Sequence, residues 1–359
     1  MTLLSHKYLL WLTVAYLCSL TGLANAEHQF SLGAWATYQY FPGDKVNTDG
    51  EFTDEALVFY ADGKAEAGDT WSYSVEARLG PGGFTDPDNN STGNEFTFHK
   101  AWLGWQLNEN HILKLGKSQL PFGWKTTNFW PGDMLLAGYG DQMDVGLKLS
   151  GQHKSLQYDL AYYHSDDWSS TSTDTVDDNR HWGSSTTFRK VKTWVGNTVW
   201  NINEDNQVGV SVQSGQLEDL TGTPSSPSSG SHRAYVIYYE GNYNDAYYKA
   251  SYIRGKRQLP DAYFASASLP EEIKNTRLAA TIGYNLNDWA FYFDATYADP
   301  RTQGSSASSV TAYSPGVRYD YGPGWIYLEY LIQNGYVDRN GQVGEGDFDA
   351  IYLSVDVYL

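Results

Sequence analysis

Cysteine is all but missing from this chain of 359 residues: the one copy, Cys18, falls in its first 26 positions. The remainder has no thiol, which excludes a disulfide framework and a thiolate-bound metal. Basic residues are also scarce, 24 Lys and Arg against 42 Asp and Glu, for a net charge of −18. So acidic a chain repels nucleic acid rather than binding it. No run after position 26 approaches the ~18 apolar residues needed for a spanning helix. Catalytic signatures are missing too. G-x-S-x-G does not occur, and the histidines after the leader (28, 99, 111, 153, 164, 181 and 232) fit no zinc spacing. The acidic stretches 86–90 and 174–178 lack the glycine and distal Glu of a calcium loop and read as solvated loops. The expectation is a protein that is not an enzyme and carries no cofactor or metal.

Residues 1–26 read as a cleavable secretory signal. His6 and Lys7 make a weakly basic start, Leu9 to Leu17 a short apolar core, and Ala24-Asn25-Ala26 a small-x-small cleavage site. Residues 27–359 then form one domain with no linker. An exported chain without disulfides needs another source of stability, and a closed hydrogen-bonded sheet supplies one.

What the sequence has in plenty is aromatics, 29 Tyr, 13 Trp and 14 Phe. Tyr and Trp favour the boundary between hydrocarbon and water, where the ring is buried and the polar tip stays wet. Strict alternation accompanies them. Trp71, Tyr73, Val75, Ala77 and Leu79 alternate with Ser72, Ser74, Glu76 and Arg78, and Ile351, Leu353, Val355, Val357 and Leu359 share one face. A period of two gives each strand a greasy face and a polar face. Sixteen such strands are predicted, at 28–41, 52–64, 70–80, 95–107, 111–117, 144–150, 155–166, 188–202, 207–217, 232–241, 246–255, 275–286, 289–298, 311–321, 324–334 and 348–359. In 188–202 the face is ambiguous, because Val191, Val195 and Val199 compete with Trp194, Trp200 and Ile202.

The connections fall into two alternating classes. Seven are short and rich in Asn, Asp and Gly, as at 242–245 and 287–288, and eight are long, as at 118–143 and 335–347. Short turns at one end and long loops at the other are the plan of a transmembrane β-barrel. The fold expected is therefore all-β: a transmembrane, 16-stranded antiparallel β-barrel in a Gram-negative outer membrane, its wall against the lipid bilayer and lipopolysaccharide.

The longest connection, Ser118–Met143, is too apolar for a loop in water. Leu120, Phe122, Trp124, Phe129, Trp130 and Leu135 require burial, which folding inward against the barrel wall provides. The phrase Leu113–Trp124, L-K-L-G-K-S-Q-L-P-F-G-W, with D-V-G-L-K-L-S-G at Asp144–Gly151, resembles the phosphate-selective porin O and P family. That resemblance implies a homotrimeric outer-membrane porin whose third loop folds inward.

Alternation also assigns the lumen. Arg78, Lys100, Lys114, Lys148, Arg277 and Arg318 are expected to face inward, against Glu76, Asp144, Asp159, Glu240, Asp294, Asp320, Glu329 and Asp356. Anion selection needs a basic lining, and this one is mixed with a slight acidic excess. The pore constriction is placed between loop residues Lys125 and Asp133 and the wall residues Arg78, Lys100, Lys114 and Lys148. The function expected is passive diffusion of small hydrophilic solutes and ions. The alternatives are a ligand-selective uptake channel for phosphate or another anion, a sugar, an organic acid or an iron carrier, and a barrel serving as adhesin, receptor or enzyme.

Overall fold

The computed structural model describes residues 27–46, 48–64, 70–80, 96–123, 143–166, 188–220, 230–260, 270–338 and 340–359. Residues 1–26, expected to be a signal, and Lys125 and Asp133 lie outside them. Sixteen strands follow one another: β1 (Glu27–Tyr40), β2 (Glu51–Lys64), β3 (Trp71–Leu79), β4 (Phe96–Asn108), β5 (His111–Gln119), β6 (Met143–His153), β7 (Leu156–Ser165) and β8 (Phe188–Asn201). The ring continues through β9 (Asn206–Asp219), β10 (Gly230–Tyr243), β11 (Ala246–Gln258), β12 (Glu272–Leu286), β13 (Trp289–Pro300), β14 (Val310–Asp320), β15 (Trp325–Val337) and β16 (Val343–Tyr358). Each pairs antiparallel with its sequence neighbours, and β1 pairs with β16 from Gly33↔Tyr358 to Tyr40↔Ile351, so the sheet closes. Closure leaves no open edge, as hydrocarbon demands.

The barrel is greasy outside. On β9, Val210 and Val212 are 45% and 54% exposed, while Ser211 and Gln213 between and beside them are 0% and 3% exposed. Leu32, Leu57, Leu103, Leu147, Leu160, Ile282, Leu328 and Leu353 continue the exposed apolar band. Aromatics border it at both ends. Near the short turns stand Trp71, Trp105, Trp200, Tyr243 and Trp289; towards the long loops stand Phe52, Phe98, Trp194, Tyr235 and Tyr252. These are the two interfacial girdles of a membrane barrel. The tight turns use left-handed backbone at Lys154, Asn244 and Asn287 (φ 55°, 52° and 52°), a conformation in which Asn is enriched.

Strand β8 settles its ambiguity in favour of tryptophan outside. Trp194 and Trp200 are 53% and 56% exposed, whereas Val195 is 0% and Val199 8% exposed. A bulge between Val191 and Trp194, with Lys192 at φ 50°, shifts the phase of the strand.

The last hairpin departs from the sequence expectation. In place of a long loop over 335–347, β15 runs to Val337 and β16 starts at Val343, so only 338–342 connect them. A bulge between Gln333 and Gly335 bends the extension. It folds inward over the loop end of the barrel: Val337 and Val343 join Ala298, Val310 and Ala312 in one buried cluster, and the Asn275 side chain on β12 donates to the Gly341 carbonyl at 2.6 Å. Gly335 is obligatory at the crossing, since a Cβ there would lie 2.2 Å from the Val310 side chain.

Candidate pore constriction

Loop three enters the lumen from its first residues. Leu120 and Phe122 are 5% and 2% exposed, in a cluster with Ala161, Val195, Val236, Ile253 and Ala279 of β7, β8, β10, β11 and β12. Only the interior of the ring brings those strands to one segment. The Gly123 amide donates to Ser211 Oγ on β9 at 3.1 Å, and Lys148 Nζ donates to the Gln119 carbonyl at 2.7 Å. Inward valines on β8 and β10 thus serve as a seat for the loop, and the residues beyond Gly123 continue outside the described set.

The four wall residues expected at the constriction all face the lumen, on β3 to β6. Arg78 Nε donates to Glu76 Oε1 at 3.0 Å, and its guanidinium carbon stands 5.3 Å from the Trp35 ring. Lys100 pairs in register with Glu76, where a bulge lets His99 also turn inward to 1% exposure. Lys114 stands directly opposite Lys148 and places its ammonium 4.2 Å over the Trp102 ring. Like charges directly opposed on a sheet repel, so this pair costs stability. Ser150 donates to Asp159 Oδ1 at 2.6 Å beside it on β7. Below, towards the turns, a recess of about 620 Å³ is lined by Asp62, Lys64, Trp102 and Lys114.

Further inward charges escaped the sequence reading, Asp62 and Lys64 at that recess and three cations on other strands. Lys190 on β8 lies 3.6 Å from Asp144 Oδ2, both nearly fully buried. Arg257 is 0% exposed, its guanidinium 5.6 Å from the Phe188 ring, and Lys249 pairs with Glu240 on the lumen side. Arg257 sits where β11 outruns its expected end at 255, and Lys190 sits beside the β8 bulge, which hides its phase. Lys249 was legible, since it alternates with Ser251 and Ile253. With all of these added, the inward charges named among the described residues are close to balance rather than slightly acidic. Arg277 is fully buried on β12, and Arg318 stands 5.7 Å from the Trp325 ring on β15.

No family model matches this sequence, and no curated protein does. Solved structures match it over nearly its whole length. OmpT of Vibrio cholerae superposes with a TM-score of 0.63 at 12% identity, covering 94% of this chain and 98% of that one. The outer-membrane channel DcaP of Acinetobacter baumannii gives 0.64 at 11% identity, covering 94% and 99%. An anion-selective porin from Comamonas acidovorans gives 0.63 at 10% identity, covering 93% and 100%. The chain has the porin fold. At such identities the likeness reaches the architecture and not the side chains, so the charges of this porin-fold lumen must be read from its own residues.

Proposed function

We propose that the protein is an outer-membrane porin, a water-filled channel for passive diffusion of small hydrophilic solutes and ions. The observation that carries this reading is the inverted barrel: exposed apolar side chains on the outer face of every spanning segment, and paired charges inside. The loop end faces the exterior and the short turns the periplasm. Loop three narrows the lumen, with Lys125 and Asp133 on the loop opposing Arg78, Lys100, Lys114 and Lys148 on the wall. Opposed charges across an eyelet set a transverse field that sorts solutes by charge and dipole. A homotrimer is the assembly, in keeping with the family that Leu113–Gly151 resembles and with the trimer form in which OmpT is described.

Conductance of the refolded protein in a planar bilayer tests the reading. Unitary steps above the lipid baseline are expected, and their absence sinks the pore. A reversal potential in a salt gradient is expected to show weak selectivity, given the near-balanced lumen. The directly opposed Lys114 and Lys148 favour a second reading, an uptake channel with an anion site. Saturable block of the current by phosphate at millimolar concentration or below would establish it.

A further inference from the structure

We infer that the outer wall of β10 to β13 carries a binding site for the phosphorylated headgroup of an outer-leaflet lipid. The inference rests on the proposal that the barrel spans an outer membrane with its loop end outward.

Five basic side chains meet on that wall, in a chain whose net charge is −18. Arg233 on β10 is directly opposite Lys256 on β11, and Lys256 is directly opposite Lys274 on β12. The Arg301 amide donates to the Lys274 carbonyl at 2.9 Å, which extends the row past β13. Arg254 lies two residues below Lys256 on the same face. Inward neighbours His232, Arg257, Ile273 and Asn275 are all buried, whereas Arg233, Arg254 and Lys256 are exposed, so the row faces out. Strands stand about 4.8 Å apart, so four of them give a row roughly 14 Å wide.

The height of the row is fixed by what lies beneath it. Four positions nearer the barrel centre, the same strands present Ile237, Tyr252, Leu278 and Tyr297 in register, the first three 49%, 36% and 45% exposed, with Tyr235, Arg254, Thr276 and Asp299 at the level between. The basic row therefore sits at the edge of the apolar band, at the level of lipid headgroups on the loop side. Among the described residues, two acids pair with it. Glu272 is shared between Lys256 and Lys274, and Asp299 pairs with Arg301 at 2.5 Å. Arg233 and Arg254 make no ion pair among the described residues. Like charges directly opposite each other destabilise a sheet, and an incoming anion relieves the cost. Guanidinium forks match phosphate oxygens in pairs, and a row this wide can engage more than one phosphate.

The test uses the full-length folded protein with three probes in detergent: lipid A carrying two phosphates, the same lipid with its phosphates removed, and inorganic phosphate. Arg233→Gln/Arg254→Gln is the first variant, because all three existing ion pairs survive it. Arg233→Gln/Arg254→Gln/Lys256→Gln/Lys274→Gln is the second, and Lys45→Gln/Lys154→Gln is the control elsewhere on the surface. Native mass spectrometry should show the bisphosphorylated lipid bound to wild type and control, and about tenfold more weakly to the first variant. The dephosphorylated lipid should bind wild type as weakly as the bisphosphorylated lipid binds the variants. Equal binding of the two lipids, or no loss in either variant, overturns the site. Displacement of the lipid by low-millimolar phosphate shows a site for free anions and overturns the lipid assignment. Unitary conductance of each variant separates the cases: a variant that still conducts but has lost the lipid implicates the patch alone, while failure of the wild type to conduct removes the pore reading beneath it.

Discussion

Gly123 and Ser211 join the start of the third loop to the far wall: the glycine amide donates to the serine hydroxyl at 3.1 Å, across 88 positions of sequence. Phe122, 2% exposed, anchors the same point in the apolar seat formed by Val195, Val236 and Ile253. Phe122→Ala should weaken the anchor by about 3–5 kcal/mol and Ser211→Ala by about 1 kcal/mol. The larger substitution is expected to raise unitary conductance and current noise, the smaller to raise noise alone. Unchanged traces for Phe122→Ala would separate this loop from the constriction.

Lys114 and Lys148 face each other across the β5–β6 ladder. Lys114→Glu/Lys148→Glu replaces two positive charges by two negative ones on one side of the proposed eyelet. The reversal potential in a tenfold salt gradient should move clearly towards cation selectivity, with little change in conductance at high salt, where screening is short-ranged. Arg318→Glu, on the opposite side of the ring, should move it less.

The bent β15–β16 hairpin is held over the loop end by the Asn275–Gly341 hydrogen bond and by the buried cluster around Val310. Removing 338–342 with a two-residue glycine turn should enlarge the conducting mouth and raise conductance. Asn275→Ala, which leaves the chain length intact, should give a smaller rise in the same direction. A conductance identical to wild type in both would show that the hairpin lies clear of the ion path.

Asp338 gives that hairpin a pH dependence. Burial raises its carboxyl above the ordinary range, against the pull of the Gln342 amide, Arg257 and Asn340. A carboxyl raised in the folded tip binds its proton more tightly there than in the open tip. Stability is therefore full below the ordinary carboxylate value near 4, and falls as the pH rises from there through the raised value. Hydrogen-exchange protection across 335–347, taken relative to the intrinsic rate at each pH, should rise on acidification from about pH 7 to about pH 4. Asp338→Asn, uncharged throughout, should flatten the part of that dependence carried by this residue.

The strand plan was legible because lipid outside and water inside impose a period of two, as at Trp71–Leu79 and Ile351–Leu359. It failed where that rule is suspended. Residues Val343–Asp347, V-G-E-G-D, extend β16 without an apolar alternation to announce it, since this part of the hairpin stands beyond the lipid. Strand β8 was ambiguous because Val195 and Val199 line a dry patch under loop three, so both of its faces are apolar. The wall residues Arg78, Lys100, Lys114 and Lys148 were found by alternation alone. Lys190 and Arg257 were not, one standing beside a bulge and the other past the expected end of its strand. The outward basic row could not be seen at all, because Arg233, Lys256 and Lys274 become neighbours only once three strands are set in register.

The pairing of β1 with β16 has a kinetic consequence. Trp35 meets Asp356, and Thr37 Oγ1 meets Ser354 Oγ at 3.0 Å, between residues more than 300 positions apart. No barrel exists until the last segment of the chain is present, and that single closure step bears nearly the whole loop entropy of the polypeptide. Until it happens, β1 and β16 each offer a bare row of amides and carbonyls that can pair with a second unfinished copy. Assembly should be slow, and sensitive to protein concentration in a way that the finished ring is not.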